Sequence, residues 1–268
     1  MIPVTSARSL SEAYAILHQR PAGLRVLAGG TDFMVAVNAR IGLDRIGHVL
    51  DIWNVDELRG IAVAASTLRI GALTSYTALM ESPEIARHLP ALAAVSREVG
   101  AWAIQNRGTI GGNVCNASPA GDTLPLLLAA EARFVLGGPR GERTVPADQF
   151  FVGYRKTALG ADELLTRIDI PLVDGARLAY RKVGTRKAQS ISRTIVAVRK
   201  GPGLVRIAAG CVAPIPLRCR NAEKAAEQGG DLRAALDQDI KPIDDIRATA
   251  VYRSRVTGNV LLRLLEQI

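Results

Sequence analysis

Two glycine-rich segments hold the residues best suited to bind the phosphates of a ligand. The first, at 29–32, reads Gly-Gly-Thr-Asp and follows the apolar run 24–28. The second, at 107–128, reads RGTIGGNVCNASPAGDTLPLLL. A glycine has no side chain to keep an anion away from backbone N–H groups. Either segment alone is more often a tight turn, but the two together favour an anion site closed from two sides.

The second segment carries the more detailed prediction. Its small residues predict an extended loop that leads into a buried helix, with backbone N–H groups of Thr109, Gly111, Gly112 and Asn113 open to a ligand. Asp122 stands just before the apolar run of that helix. Its carboxylate could cap the helix or accept hydrogen bonds from ribose hydroxyls, and the residue pattern leaves both alternatives open.

Composition narrows the class of protein. The chain has 268 residues, 48% of them hydrophobic and 4% aromatic, which is enough for one large or two to three small aliphatic cores. The net charge is +9, yet the cations are scattered and no aromatic residues are interleaved with them, which argues against nucleic-acid binding. A solvated surface, or one facing an acidic partner, accounts better for the charge.

Cysteine usage and motif searches exclude several kinds of site. Cys115, Cys211 and Cys219 form no C-x-x-C pair, so we expect no zinc or iron–sulfur site within this chain and a reducing compartment. No apolar leader or stretch of membrane-spanning length occurs, so we expect a cytoplasmic protein without membrane contact. The chain also lacks G-x-S-x-G, a Walker lysine and a strand-linked G-x-G-x-x-G, which argues against a hydrolase, a P-loop enzyme and a Rossmann dehydrogenase.

Periodicity predicts an α+β protein. Ser9 and Glu12 form a capping box that should open a helix running to about Arg20. The other predicted helices are 31–39, 74–80, 85–105 and 245–267. The predicted strands are 24–28, 49–52, 68–72, 177–183, 194–198 and 204–209, with a hairpin at 133–145. The last two strands should form part of an antiparallel meander, and a change of character near 172–176 predicts a domain boundary.

At this point the sequence resembles a known family, the FAD-binding medium subunits of molybdenum hydroxylases. The resemblance rests on AGGTD at 28–32, LRIGALT at 68–74, NRGTIGGN at 106–113 with Asp122 nine residues later, and YRKVGTRKAQSIS at 180–192. It implies a two-lobed FAD-binding PCMH-type domain at 1–172, with lobes at about 1–55 and 56–172. A C-terminal antiparallel sheet with helices, of the CO dehydrogenase flavoprotein type, would follow at 176–268.

The resemblance also implies a set of FAD contacts and no catalytic or metal-binding side chain. The implied cofactor-binding residues are Leu27, Ala28, Gly29, Gly30, Thr31, Asp32, Phe33, Thr109, Ile110, Gly111, Gly112, Asn113, Asp122, Leu165 and Lys182. Segment 27–33 would wrap the pyrophosphate, Asp122 would bind the adenosine ribose, and Leu165 would pack on the cofactor. Lys182 would reach the pyrimidine edge of the isoalloxazine, with Arg181, Arg186 and Lys187 as alternatives.

The implied function is electron transfer within a heteromeric, xanthine dehydrogenase-like molybdenum hydroxylase. A large molybdopterin-binding subunit and a small subunit with [2Fe-2S] clusters would be the partners, and NAD+ or another molecule would accept the electrons. Two alternatives remain at this stage. One is a self-sufficient PCMH-type flavin oxidoreductase with its own substrate site, and the other is a non-catalytic nucleotide-binding assembly module.

Overall fold

A computed structural model describes residues 2–19, 21–186 and 189–268. Arg20, at the expected end of the first helix, and Lys187, one alternative to Lys182, lie outside the described residues. Ala188, within the motif at 180–192, lies outside them as well.

The N-terminal lobe is a small parallel sheet covered by helices. Its elements are β1 (Val4–Ser6), α1 (Leu10–Gln19), β2 (Leu24–Leu27), α2 (Phe33–Asn38) and β3 (His48–Asp51), with 3-10 turns at Leu43–Arg45 and Asp56–Leu58. The strands are parallel in the order β1-β3-β2. The predicted cap at Ser9 is present, because the N–H of Glu12 donates to Oγ of Ser9 at 3.2 Å, while the Glu12 carboxylate accepts from the N–H of Arg8 at 2.7 Å instead of from that of Ser9.

The middle lobe is a five-stranded antiparallel sheet with helices packed on it. Its elements are β4 (Ile61–Ala64), β5 (Thr67–Gly71), α3 (Tyr76–Glu81), α4 (Pro83–His88), α5 (Pro90–Glu98), α6 (Trp102–Arg107), α7 (Ile110–Asn116), α8 (Leu124–Ala129), β6 (Arg133–Gly138), β7 (Gly141–Pro146), α9 (Ala147–Phe150), β8 (Phe151–Gly153), β9 (Lys156–Thr157) and β10 (Leu164–Pro171). The sheet order is β4-β5-β10-β6-β7, so the central strand is β10, which the sequence analysis did not predict. The predicted hairpin is confirmed as β6 and β7.

The predicted helix at 85–105 is wrong, because this stretch forms three short helices. Pro90 has no N–H to continue the hydrogen bonding of α4, so it begins the new helix α5 instead. Gly100 has φ of +57°, a left-handed conformation that separates α5 from α6.

The predicted extended glycine loop at 109–113 is also wrong. Residues 110–116 form α7, and Thr109 caps it by accepting a hydrogen bond from the N–H of Gly112 at 3.0 Å. Every residue of the next helix, α8, is buried, as the apolar run predicts.

The C-terminal region is an antiparallel sheet with helices on one side. Its elements are β11 (Arg177–Val183), β12 (Thr194–Gly201), β13 (Leu204–Gly210), β14 (Leu217–Arg218), α10 (Arg220–Gln228), α11 (Leu232–Asp239) and α12 (Ala250–Gln267). The order β11-β12-β13-β14 confirms the predicted meander. The last helix begins at Ala250 instead of 245, because Thr249 supplies the N-cap.

Helix α8 joins the middle lobe to the C-terminal sheet. Its residues share one buried apolar cluster with Ala197 and Ala208 of that sheet. A Cβ placed on Gly210 would lie 3.0 Å from Cγ of Pro125, so glycine lets the strand approach the helix closely. This packing sets the position of one sheet relative to the other.

Candidate functional site

A cleft of about 770 Å³ lies between the middle lobe and the C-terminal region. Asp32 of the first glycine segment and Asn113 of the second both line it, together with Asp122 and residues 189–192. The two segments therefore face one space, as the sequence analysis predicted.

The two glycine segments also touch each other. A Cβ placed on Gly29 would lie only 1.7 Å from the carbonyl oxygen of Arg107, so no larger residue fits there without moving the backbone. The contact closes the N-terminal lobe on the segment that leads into α7.

Backbone N–H groups of the first segment are open to a ligand. Among the residues that the structure describes, the N–H groups of Gly29, Gly30, Thr31 and Asp32 have no hydrogen-bond partner. Gly30 has φ of +78°, a conformation that glycine adopts without strain. Successive free N–H groups at such a turn form a site for an anion.

The second segment is different, because the N–H groups of residues 110–113 are already used. The N–H of Ile110 donates to the carbonyl oxygen of Thr74 at 3.0 Å, and that of Gly111 donates to Ala72 at 2.9 Å. Gly112 donates to its own helix cap. The expectation that Gly111 and Gly112 offer free N–H groups is therefore wrong. The small size of Gly111 allows close packing of α7 against Ala72 at the end of β5, and that of Gly112 leaves room for the hydroxyl of the cap Thr109.

Asp122 lies in a buried network of charged and polar groups. Its Oδ2 is 2.6 Å from Nζ of Lys182, and its Oδ1 accepts a hydrogen bond from Oγ of Ser192 at 2.7 Å. Lys182 Nζ also donates to the carbonyl oxygen of Glu98 at 3.1 Å. The side chains of Lys182 and Asp122 are only 5% and 12% exposed.

This geometry supports neither of the two alternatives for Asp122. The N-cap of α8 is Thr123, and no side chain caps that helix, so Asp122 is not a cap. Its pairing with Lys182 also conflicts with the expectation that the two side chains contact opposite ends of FAD, because adjacent groups cannot reach both ends of an extended dinucleotide.

Burial and pairing act on Asp122 in opposite directions. Burial raises the pKa of the Asp122 carboxyl, while the Lys182 ammonium and the Ser192 hydroxyl act to lower it. Burial likewise raises the pKa of Glu98, which lies near the same ammonium. The site is thus largely shielded from solvent, and Lys182 balances the charge of the two acidic side chains, Asp122 and Glu98.

Leu165 lies elsewhere. It is 4% exposed and belongs to the apolar core of the middle lobe, and it does not line the cleft. Ser192 was not among the predicted contacts, although it ends the motif at 180–192; its hydroxyl, two residues before β12, was a detectable signal.

A second missed feature is an aromatic–arginine stack beside the glycine contact. The guanidinium of Arg107 lies 3.7 Å from the ring centroid of Trp53, and that of Arg59 lies 4.5 Å from it. Arg59 also donates to the carbonyl oxygen of Leu73 at 3.2 Å. Cation–π contacts of this kind hold Arg107, and with it the segment that meets Gly29.

The cysteines near the site are neutral thiols. Burial raises the pKa of Cys115 to about 12 and that of Cys211 to about 12. Within the described ranges, no group of His, Cys, Asp and Glu residues is arranged to hold a metal ion. No helix in the described part of the chain is long and apolar enough to cross a membrane.

Comparisons with known proteins agree with this architecture. Residues 1–173 match the family model of the FAD-binding domain in molybdopterin dehydrogenase, and residues 179–268 match that of the CO dehydrogenase flavoprotein C-terminal domain. The carbon monoxide dehydrogenase medium chain of Hydrogenophaga pseudoflava is 35% identical over 97% of this chain and 94% of its own length. The putative xanthine dehydrogenase FAD-binding subunit of Escherichia coli K12 is 33% identical, with the same coverage.

Solved structures give the same result. A structure of the Hydrogenophaga pseudoflava carbon monoxide dehydrogenase that lacks the Mo-pyranopterin moiety matches with a TM-score of 0.92 at 34% identity. The match covers 99% of this chain and 96% of the other. The chain therefore belongs to the FAD-binding medium subunits of the molybdenum hydroxylases.

Proposed function

We propose that the cleft holds FAD with its pyrophosphate on the free N–H groups of residues 29–32, and that this chain relays electrons through it. Those four N–H groups carry the proposal, because an anion satisfies them and the described residues do not. The contact between Gly29 and Arg107 supports it, since it brings Asp32 and Asn113 to one cleft. Asn113 would then line the cleft, whereas the buried residues Thr109 and Ile110 would support the start of α7 behind it.

The paired side chains of Asp122 and Lys182 would together meet the pyrimidine edge of the flavin. That edge carries both an N–H donor and carbonyl acceptors, which match a carboxylate next to an ammonium. When bound, FAD supplies reversible transfer of one or two electrons. The Lys182 ammonium would stabilise negative charge that develops on the ring, and Ser192 would hold the Asp122 carboxylate in place. This placement replaces the expected contact of Asp122 with the adenosine ribose.

The partners would be a large molybdopterin-binding subunit and a small subunit with [2Fe-2S] clusters. Support comes from the curated relatives, which are named as a medium chain and as an FAD-binding subunit. Electrons would pass from the partner clusters to FAD here and then to NAD+ or another acceptor. We keep 1–172 and 176–268 as the proposed domains.

FAD titration of the purified chain tests the cleft. Asp122→Ala removes a hydrogen bond involving charged groups, so we expect FAD affinity to fall roughly 10- to 150-fold. Asp44→Ala, which removes an exposed carboxylate outside the cleft, is the control and should bind FAD as the wild type does. Equal affinity of the Asp122 variant and the wild type would rule out a flavin contact at this position.

Reduction assays separate the proposal from its two alternatives. If the chain is an electron relay, dithionite should bleach its flavin directly. The substrate that the complex hydroxylates should bleach the flavin only when the large and the small partner subunits are both present. Turnover of such a substrate by the isolated chain would favour the self-sufficient oxidoreductase. A chain that takes up no FAD would favour the assembly module.

A further inference from the structure

A second cavity, of about 600 Å³, lies where the middle lobe meets the C-terminal sheet. Its walls are the end of α4, the connecting segment 171–176, the start of β11, Arg199 of β12 and the end of α12. It shares no lining residue with the cleft.

Arg199 in this wall is a buried cation with neutral partners. It is 6% exposed and donates to the carbonyl oxygens of Ala130 at 2.9 Å and Pro171 at 2.8 Å. An arginine has five N–H donors, so these two bonds leave others available. Burial lowers the pKa of Arg199, as expected for a charge removed from water without a close counter-ion.

Other buried arginines in the described ranges have carboxylate partners. Arg218 lies 2.6 Å from Glu223, and Arg253 lies 2.7 Å from Asp245. No carboxylate among the described residues lies within the 4.0 Å of an ion pair with Arg199.

The acidic group that acts on Arg199 at longer range is already engaged. The carboxylate of Glu131 attracts Arg199, but it lies 2.7 Å from Arg206 and 3.3 Å from Arg218. A buried charge without a close counter-ion is energetically costly. Arg199 bears this cost, whereas Arg218 and Arg253 have carboxylate partners.

Further cations surround the same cavity. Arg87 and Arg177 are exposed in its walls, and neither forms an ion pair within the described part of the chain. His88 lies beside Arg87. Asp174 and the carboxyl end of Ile268 also line the cavity, and the Ile268 oxygen accepts a hydrogen bond from Nζ of Lys200 at 3.1 Å. The balance of charge in the cavity is therefore positive.

We propose that this cavity binds a small oxyanion with two or more negative charges, of the polyphosphate or dicarboxylate class. Guanidinium groups match such oxyanions in charge and in the spacing of their donors. The ligand would supply the close counter-ion that Arg199 lacks, and Arg87 and Arg177 would hold it from two sides. Because the walls come from α4, the connecting segment and the C-terminal sheet, occupancy would tie the two halves of the chain together.

Calorimetric titration of the full chain in saturating FAD tests this site, with pyrophosphate in one arm and succinate in the other. Saturating FAD keeps pyrophosphate away from residues 29–32. We expect one saturable site in at least one arm, and the arm that binds identifies the ligand class. Arg87→Ala and Arg177→Ala should each weaken binding roughly tenfold, since each removes a charge-assisted hydrogen bond.

Arg263→Ala is the matched control, because it removes one exposed arginine from α12 outside both cavities. It should leave the affinity unchanged. Failure of both arms to show saturable binding would overturn the proposal. Equal weakening by Arg263→Ala would also overturn it, because general attraction to a basic protein would then explain the binding. Neither outcome bears on FAD uptake, which is measured separately.

Discussion

The two glycine segments look alike in sequence and do different work. Segment 29–32 leaves its N–H groups unpartnered, whereas Ile110 and Gly111 of the other segment donate theirs to Thr74 and Ala72. One glycine pair thus leaves backbone N–H groups without a partner, and the other lets a helix pack against a strand. The difference shows that glycine content predicts close approach but does not predict what approaches.

Gly29→Ala should have the largest effect on the ligand side of this comparison. Its Cβ would lie 1.7 Å from the Arg107 carbonyl oxygen, so the two segments must separate. We expect FAD affinity to fall by about a hundredfold or more, by analogy with overpacking costs of up to about 3 kcal/mol. Gly230→Ala is the control, because the nearest atom to its Cβ would be 3.4 Å away. Normal FAD binding by the Gly29 variant would show that the contact is dispensable.

Gly111→Ala should act on stability instead. Its Cβ would lie 2.6 Å from both Cβ and the carbonyl oxygen of Ala72, in the buried packing of α7. We expect a loss of about 2 to 3 kcal/mol in the free energy of unfolding, measured by urea denaturation without FAD. If this variant unfolded like the wild type but lost FAD, the roles assigned to the two segments would have to be exchanged.

Lys182→Met tests the ion pair of Lys182 with Asp122, which consists of side chains, whereas the two glycine segments act through the backbone. The substitution leaves the buried Asp122 carboxylate without its ammonium while the bond to Ser192 remains, so we expect a loss of about 2 kcal/mol at pH 8. The pKa of Asp122 is already raised above its ordinary 3.8, and losing Lys182 raises it further.

The sign of the pH dependence follows from that raised pKa. A group with a raised folded pKa favours the folded state fully at pH values below its unfolded pKa, and this contribution is lost as pH rises through the folded pKa. The variant should therefore be closer to the wild type at pH 5 than at pH 8. Urea denaturation at both pH values measures this, and an equal deficit at the two values would argue against a buried carboxylate.

Thr109→Ala should give the smallest effect. It removes the cap that accepts from Gly112, which costs about 1 kcal/mol of stability. FAD affinity should change little, because the capped N–H groups are not those that face the ligand. Thr109→Ser keeps the cap and is the control in the same denaturation assay. A large loss of FAD affinity in the alanine variant alone would place Thr109 at the ligand.

Local patterns predicted much of this fold, and long-range pairings escaped prediction. The helix cap at Ser9, the hairpin at 133–145 and the antiparallel meander depend on neighbouring residues, and the structure contains all three. The break at Pro90 was a local signal that the apolar spacing of 85–105 obscured. Strand β10 was missed although residues 166–171 alternate between buried and half-buried positions, a local signal that was present in the sequence as Arg167, Ile168, Asp169 and Ile170.

In the candidate site, too, local features were predicted and long-range contacts were not. Gly29 and Asp122 were found from local composition, but their partners lie far along the chain. Asp122 contacts Lys182 and Ser192, which are 60 and 70 residues away in the sequence. These contacts form because α8 packs against the C-terminal sheet. Such contacts exist only in the assembled fold, so one sequence cannot specify them.

The contact of two guanidinium groups with the ring of Trp53 gives this protein an optical probe of its own. The chain has two tryptophans, and the other, Trp102, is 83% exposed. Replacing Trp102 with phenylalanine would leave an indole whose emission depends on Arg107, the residue whose carbonyl oxygen meets Gly29. Fluorescence of that variant would report on the contact between Gly29 and Arg107 during an FAD titration, without an added label.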